Sequence, residues 1–314
     1  MKKVVFIDTV HPILAERLSN LGYLCEDATN YNDLEVRETI KDAFGIVIRA
    51  KFKLDEDFLK SSINLGFIAR SGSGLENIDL DYCNQHNIVV FNSPEGNRNA
   101  VAEHGLGMLL SLFNRLNKGD LEVRKGIWNR EDNRGIELDG KTVGIIGLGN
   151  NGSAFAKKLE GFDCKVLAYD KYKQNFSNRN VIEATMEEIF AQAEVLSFHV
   201  PLTEETVQLF DTRFINKFQH SFFLLNLSRG KIVNTKALVE GLKTGKVKGA
   251  CLDVLEYEPS DFSSIFARQL PAELGFLFQQ QNVLFSPHVA GWTTESYYKL
   301  SEVLAVKIEQ TFHR

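Results

Sequence analysis

The chain is predicted to be an α/β protein built of two doubly wound parallel-sheet domains with a cleft between them, and three observations carry that expectation. Short unbroken apolar runs alternate with helical segments along most of its 314 residues, the pattern of parallel sheets covered on both faces. The alternation occurs twice, before and after a polar stretch at residues 118–137. The second block opens on a glycine-rich turn between a strand and a helix.

Taken in order, residues 4–8 read as the first strand. A helix follows from Pro12, a favoured first-turn residue, and stops near Gly22. Residues 45–49 form the next strand, residues 55–62 a helix, and residues 67–69 and 88–91 two further strands. A long helix of small and apolar residues spans 97–117. Residues 118–137 carry tandem charges with little periodicity and read as a surface connection. The second block places strands at 142–147, 165–170, 195–200, 222–226 and 247–252. The last segment, 294–312, is an amphipathic helix with no strand after it.

Composition excludes several classes. Lys and Arg number 36 against 41 Asp and Glu, a formal charge of −5, so there is no basic surplus for a nucleic-acid backbone. With 44% apolar and 25% charged residues the chain can bury a full core, which argues against disorder or a fibre. After Met1-Lys2-Lys3 come only four apolar residues, short of the roughly 7–15 of a signal peptide, and no run approaches the ~18 of a membrane span. Cys25, Cys83, Cys164 and Cys251 lie far apart, which speaks against a disulfide framework and a metal site. A soluble, cytoplasmic protein is expected.

The strongest local signal is Gly147-Leu148-Gly149-Asn150-Asn151-Gly152, a Gly-x-Gly-x-x-Gly directly after a strand and at the mouth of a helix. Gly147 suits the tight turn, Gly149 lets backbone approach a pyrophosphate, and Gly152 lets helix and strand pack closely. Asp170, at the end of the next strand, is placed to accept from the adenosine ribose hydroxyls and to repel a 2′-phosphate. NAD is therefore the expected cofactor on a Rossmann-type unit.

Two other matches lack their structural context. Residues 135–142 fit Gly-x-x-x-x-Gly-Lys-Thr, but a polar loop precedes them and a strand follows, the reverse of a phosphate-binding loop. Ser228-x-x-Lys231 with Lys243-Thr244-Gly245 resembles an acyl-enzyme motif, but no Ser-Asp-Asn stands between, and Lys243 ends a helical pattern.

Arg229, Asp253, Glu258 and His288 all follow predicted strands or apolar runs. Ligands of open α/β sheets bind outside the carboxyl ends of strands, so the four can converge on one cleft. His11, His86, His104, His199, His220 and His313 read as structural, although His199 adjoins the expected cofactor wall.

Asn226-Leu227-Ser228-Arg229-Gly230, Asp253-Val254-Leu255-Glu256-Tyr257-Glu258-Pro259 and Ser286-Pro287-His288-Val289-Ala290-Gly291-Trp292-Thr293 resemble the three signatures of D-isomer-specific 2-hydroxyacid dehydrogenases. Arg70-Ser71-Gly72-Ser73-Gly74-Leu75-Glu76 resembles that family's substrate loop, and Ala100-Val101-Ala102-Glu103 its interdomain helix. The resemblance covers residues 45–293. It implies a discontinuous substrate-binding domain at 1–93 plus 294–314, an NAD-binding domain at 94–293, and a homodimer through the cofactor domains and the helix near 98–117.

It also implies roles. Arg229 would hold the substrate carboxylate and C2 oxygen, His288 would be the acid/base, and Glu258 would orient His288 and stabilise its protonated form. The amides of Ser71, Gly72 and Ser73 would receive the carboxylate, with Ser73 also near the nicotinamide end. Asn150 and Asn151 would lie at the pyrophosphate, Val200 and Pro201 at the adenine wall, and Thr206 nearby. Leu227, Ser228 and Asp253 would line the nicotinamide ribose and carboxamide, with Gly291 close by.

Within the family, the Ile48-Arg49-Ala50-Lys51 stretch resembles phosphoglycerate dehydrogenases, where basic side chains meet a substrate phosphate. That implies 3-phosphoglycerate/3-phosphohydroxypyruvate as substrate and a place in serine biosynthesis. Other family chemistries are the alternatives: glyoxylate or hydroxypyruvate reduction, and D-lactate or phosphoerythronate oxidation. A binding protein similar to the family's NAD(H)-sensing corepressors is a further one. Asn150-Asn151 replaces the usual Arg-Ile, Glu76 the usual Asp, and the segment from Glu258 to His288 is long, with an extra apolar piece at 262–266. No regulatory domain, and hence no serine feedback, is expected beyond Arg314.

Overall fold

A computed structural model describes residues 1–259, 264–267 and 269–313. It divides into two compact units. Unit 1 comprises Met1–Arg98 and the segment from Trp292 onward; unit 2 comprises Asn99–Glu258 and Ser264–Gly291.

Unit 1 is built on five strands: β1 (Lys3–Phe6), β2 (Leu24–Asp27), β3 (Ala43–Ile48), β4 (Phe67–Arg70) and β5 (Val89–Asn92). All pair in parallel, in the order β2-β1-β3-β4-β5. Because strand side chains alternate, the apolar runs feed two cores at once. Val5, Ile46, Ile48 and Ile68 pack on one face, and Val4, Phe6, Val47, Phe67 and Ala69 on the other. The second face is completed by Leu14 and Leu18 and by Leu304, Ala305 and Ile308 of the helix Thr294–Phe312. Leu304 and Ile308 are fully buried, and each contributes about 2 kcal/mol by area removed from water.

Unit 2 holds seven strands: β6 (Thr142–Ile146), β7 (Lys165–Tyr169), β8 (Ile182–Glu183), β9 (Val195–Phe198), β10 (Phe222–Asn226), β11 (Val247–Leu252) and β12 (Val283–Phe285). Their order, β12-β11-β10-β9-β6-β7-β8, is the doubly wound order of a dinucleotide-binding unit extended by one strand. The order reverses between β6 and β9, so the crevice for a ligand opens at the loops that leave these two strands.

Several elements differ from the sequence reading. The helix expected over 97–117 is present as Pro94–Phe113 and ends before Arg115, which sits at φ +52. The stretch expected to be a plain connection then contains the helix Leu116–Arg124. None of its residues is buried in this chain, so it lacks the inward stripe that marks a helix in sequence. The i,i+4 pairs Lys118–Glu122 and Asp120–Arg124 brace it instead. β2 escaped notice because Leu-Cys-Glu-Asp at a sheet edge carries little apolar signal. Residues Phe262 and Ser263 of the extra apolar piece lie outside the described residues; Phe266 stands exposed with its ring 5.8 Å from that of Phe278. The four cysteines are free thiols, and none of the described helices is long and apolar enough to cross a membrane.

Candidate active site

The glycine-rich turn leaves β6 with Gly147 at φ +92, and a Cβ there would lie 2.7 Å from the His199 carbonyl. A Cβ on Gly152 would lie 2.0 Å from the Gly147 carbonyl, so only glycine allows the helix Asn150–Lys158 to start this close to the strand. Around Gly149, by contrast, a Cβ would meet nothing within 4 Å. The turn therefore offers open space in front of backbone amides at a helix N-terminus. These features fit a dinucleotide pyrophosphate. Gly152→Ala is expected to weaken NADH binding more than tenfold and to destabilise the fold by ~2 kcal/mol or more, read by NADH titration and thermal melting.

Asp170 does more than the sequence suggested. Its carboxylate accepts from the amides of Leu148 (2.8 Å), Tyr172 (3.0 Å) and Lys173 (3.2 Å), tying the end of β7 to the glycine turn. Across the crevice, Thr206 donates to the Pro201 carbonyl at 2.7 Å and accepts from the Thr203 amide at 2.8 Å, closing the turn that follows Val200 and Pro201. Glu205 of that turn reaches Lys171 Nζ (2.5 Å) and Tyr172 Oη (2.9 Å), contacts the sequence reading missed.

His199 leaves β9 at the switch point, with its amide donating to Ile146 O and its Nε2 2.8 Å from Ser197 Oγ. Burial pushes its pKa down from 6.5 to about 4. The unfolded chain binds this proton more readily, so the stability contribution is full above pH 6.5 and is lost as pH falls from 6.5 toward 4. Between pH 7 and pH 5 the loss is about 2 kcal/mol. Urea unfolding of wild type and His199→Gln at both pH values is expected to differ by that amount, and equal pH losses would refute it.

The catalytic candidates lie on the loops after β10, β11 and β12. Asn226, fully buried, accepts from the Ser228 amide and hydroxyl and donates to the Arg229 carbonyl at 3.0 Å. Arg229 Nη1 donates to Ser228 O at 2.7 Å, which orients the guanidinium. Leu227 and Ser228 are buried beside it.

His288 Nδ1 donates to Glu258 Oε1, so this implied pair is in contact. His288 occupies the left-handed region at φ +55. Asp253 is only 2% exposed and accepts from Ser286 Oγ (2.6 Å) and the amides of Val289 and Ala290 (both 2.9 Å), just before Gly291. Its carboxylate is thus occupied by the His288 loop, a use the nicotinamide role implied for Asp253 did not anticipate.

In unit 1 the expected substrate amides are partly committed. The Ser71 amide donates to Ile48 O (2.8 Å) and the Gly72 amide to Ser93 Oγ (3.2 Å), leaving the Ser73 amide without a partner among the described residues. Ser73 Oγ donates to Asn97 Oδ1 at 2.9 Å. The basic pair is also split. The Arg49 guanidinium lies over the Trp292 ring, 4.0 Å from its centroid, where burial lowers its pKa against the opposing pull of Asp8 and Tyr297. Lys51 Nζ instead donates to the carbonyls of Thr29 and Tyr31. Sequence spacing could not separate the two, because the hydrogen bonds from the Arg49, Ala50 and Lys51 amides to Asp8 set the turn.

Comparison with known proteins finds a matching family model, similar sequences and similar solved structures. The family model for the NAD-binding domain of D-isomer specific 2-hydroxyacid dehydrogenases matches residues 106–290. The chain is 32% identical to D-3-phosphoglycerate dehydrogenase of Archaeoglobus fulgidus over 308 residues, covering 98% of this chain and 56% of that one. It is 31% identical to glyoxylate reductase of Pyrococcus furiosus, over 85% of this chain and 79% of that one. Among solved structures, D-lactate dehydrogenase of Aquifex aeolicus complexed with NAD and lactic acid superposes with a TM-score of 0.82 at 28% identity, covering 99% of this chain and 95% of that one. The chain spans little more than half the length of the phosphoglycerate dehydrogenase it matches.

Proposed function

The chain belongs to the D-isomer specific 2-hydroxyacid dehydrogenase family, and from that premise we propose that it is an NAD-dependent oxidoreductase interconverting a D-2-hydroxy acid and its 2-oxo acid. The observation that carries the reading is the Glu258–His288 contact, within the same unit as the glycine turn. Unit 1 is the substrate-binding domain and unit 2 the NAD-binding domain. Bound NAD supplies the hydride acceptor, or in reduced form the donor.

The residues of the chain do the rest. Glu258 holds Nδ1 of His288, so Nε2 is the atom that takes the proton from the C2 hydroxyl in oxidation and returns it in reduction. Arg229, already oriented by the Ser228 carbonyl, presents its guanidinium N–H groups to the carboxylate and to the C2 oxygen as charge develops there.

For the substrate we favour 3-phosphoglycerate/3-phosphohydroxypyruvate, which would place the protein in serine biosynthesis. Support comes from Arg49, whose guanidinium carbon lies 4.0 Å from the Trp292 ring centroid, and from the similarity to phosphoglycerate dehydrogenases. The diversion of Lys51 to backbone carbonyls favours a second reading, a small unphosphorylated acid such as glyoxylate. A homodimer is supported by exposed apolar side chains at Leu116, Leu121, Val123 and Trp128, the last 81% exposed.

NADH oxidation against a panel of 2-oxo acids tests the reading. Turnover chiefly with 3-phosphohydroxypyruvate supports the first substrate, and turnover chiefly with glyoxylate the second. Tight NADH binding without any turnover would overturn the enzyme reading in favour of an NAD(H) sensor.

A further inference from the structure

The loop that carries His288 is held by a directed chain of hydrogen bonds starting on another element. Ser286 Oγ lies 2.6 Å from Asp253 Oδ1 and 2.9 Å from Nε2 of His104, which projects from the helix Pro94–Phe113. A carboxylate only accepts, so the single hydroxyl proton of Ser286 goes to Asp253. His104 must then donate from Nε2 to the hydroxyl oxygen; the Met108 thioether, 3.6 Å from Ser286 Oγ, is a weaker acceptor for the same proton.

Asp253 passes the constraint on. Its Oδ1 accepts from the Val289 amide, its Oδ2 from the Ala290 amide, and its carbonyl from the His288 amide at 2.8 Å. Three consecutive amides therefore converge on one buried residue. The first belongs to a histidine at φ +55, a conformation costing ~1 kcal/mol or more unless its surroundings impose it.

We propose that His104 is a positioning residue for His288, acting through Ser286 and Asp253. The acid–base role of His288 rests on the dehydrogenase reading; the mechanical link does not. Without the His104 donor, the Ser286 oxygen loses a partner and its hydroxyl is free to turn away from Asp253. The carboxylate then has fewer donors with which to fix the loop, and small misplacements of a reacting group are costly, up to ~10²-fold for ~1 Å.

The test compares His104→Phe, which keeps a ring but removes the donor, with His104→Gln, which restores one. In the protein without cofactor, amide exchange at Val289 and Ala290 is expected to quicken about tenfold in His104→Phe and to recover most of the way in His104→Gln. With NADH and the best 2-oxo acid from the panel, His104→Phe is expected to lower kcat about tenfold, with KM for NADH within about twofold and recovery by glutamine. Unchanged exchange in His104→Phe, or a kcat loss that glutamine does not restore, would overturn the proposal. A wild-type protein that turns over no substrate sinks the dehydrogenase reading alone, because the exchange comparison still decides whether His104 holds the loop.

Discussion

Replacing His288 by alanine is expected to lower kcat by ~10²–10⁴-fold while NADH affinity stays within about twofold. The imidazole is the group assigned to proton transfer, whereas the local backbone is held by amide bonds to Asp253 that do not involve the ring. Alanine at φ +55 adds strain, so His288→Asn is the informative companion: asparagine tolerates the left-handed region but does not titrate. Both variants are expected to be slow, and the asparagine form to melt closer to wild type. Near-wild-type turnover by either one would remove His288 from the acid–base role.

Arg229→Lys is expected to lower kcat/KM by ~10²–10³-fold, with both kcat and KM affected. A guanidinium can keep its bond to the Ser228 carbonyl and still present a planar fork to a carboxylate, and an ammonium on a flexible stem cannot do both. Because the backbone of Leu227 and Ser228 is fixed by Asn226, the substitution leaves the neighbouring wall in place, and NADH binding is expected to hold. Steady-state kinetics with NADH titration in parallel decide it; an unchanged kcat/KM would show that the carboxylate is held elsewhere.

Both sheets were legible where strands run through a core, because a short apolar run such as 45–49 or 222–226, bounded by polar residues and turns, is buried most simply as a central strand. Two edge strands were not, because β2 and β8 carry too little apolar content to stand out, whereas the edge strand β5 was read at 88–91. The helix Leu116–Arg124 was hidden because its apolar side chains, Leu116, Leu121 and Val123, point outward. In the site, the resemblance paired Glu258 with His288, and the two side chains are in contact. What was not readable was the use of each hydrogen bond. Asp253 and Asp170 serve neighbouring loops, the Ser71 and Gly72 amides serve their own unit, and Lys51 turns away from Arg49. Those outcomes depend on three-dimensional competition among donors and acceptors, which spacing along a chain does not encode.

The helix Thr294–Phe312 sets an order of events during synthesis. β1 and β3–β5 leave the ribosome early, yet the face formed by Val4, Phe6, Val47 and Phe67 lacks Leu304, Ala305 and Ile308 until all of unit 2 has been made. Unit 2 can close its own cores while unit 1 still waits with an apolar surface open to chaperones and to other nascent chains. A chain stopped after Gly291 is expected to be cut rapidly by protease within residues 1–98 while residues 99–258 resist, and equal resistance of both would show that the early strands need no help from the late helix.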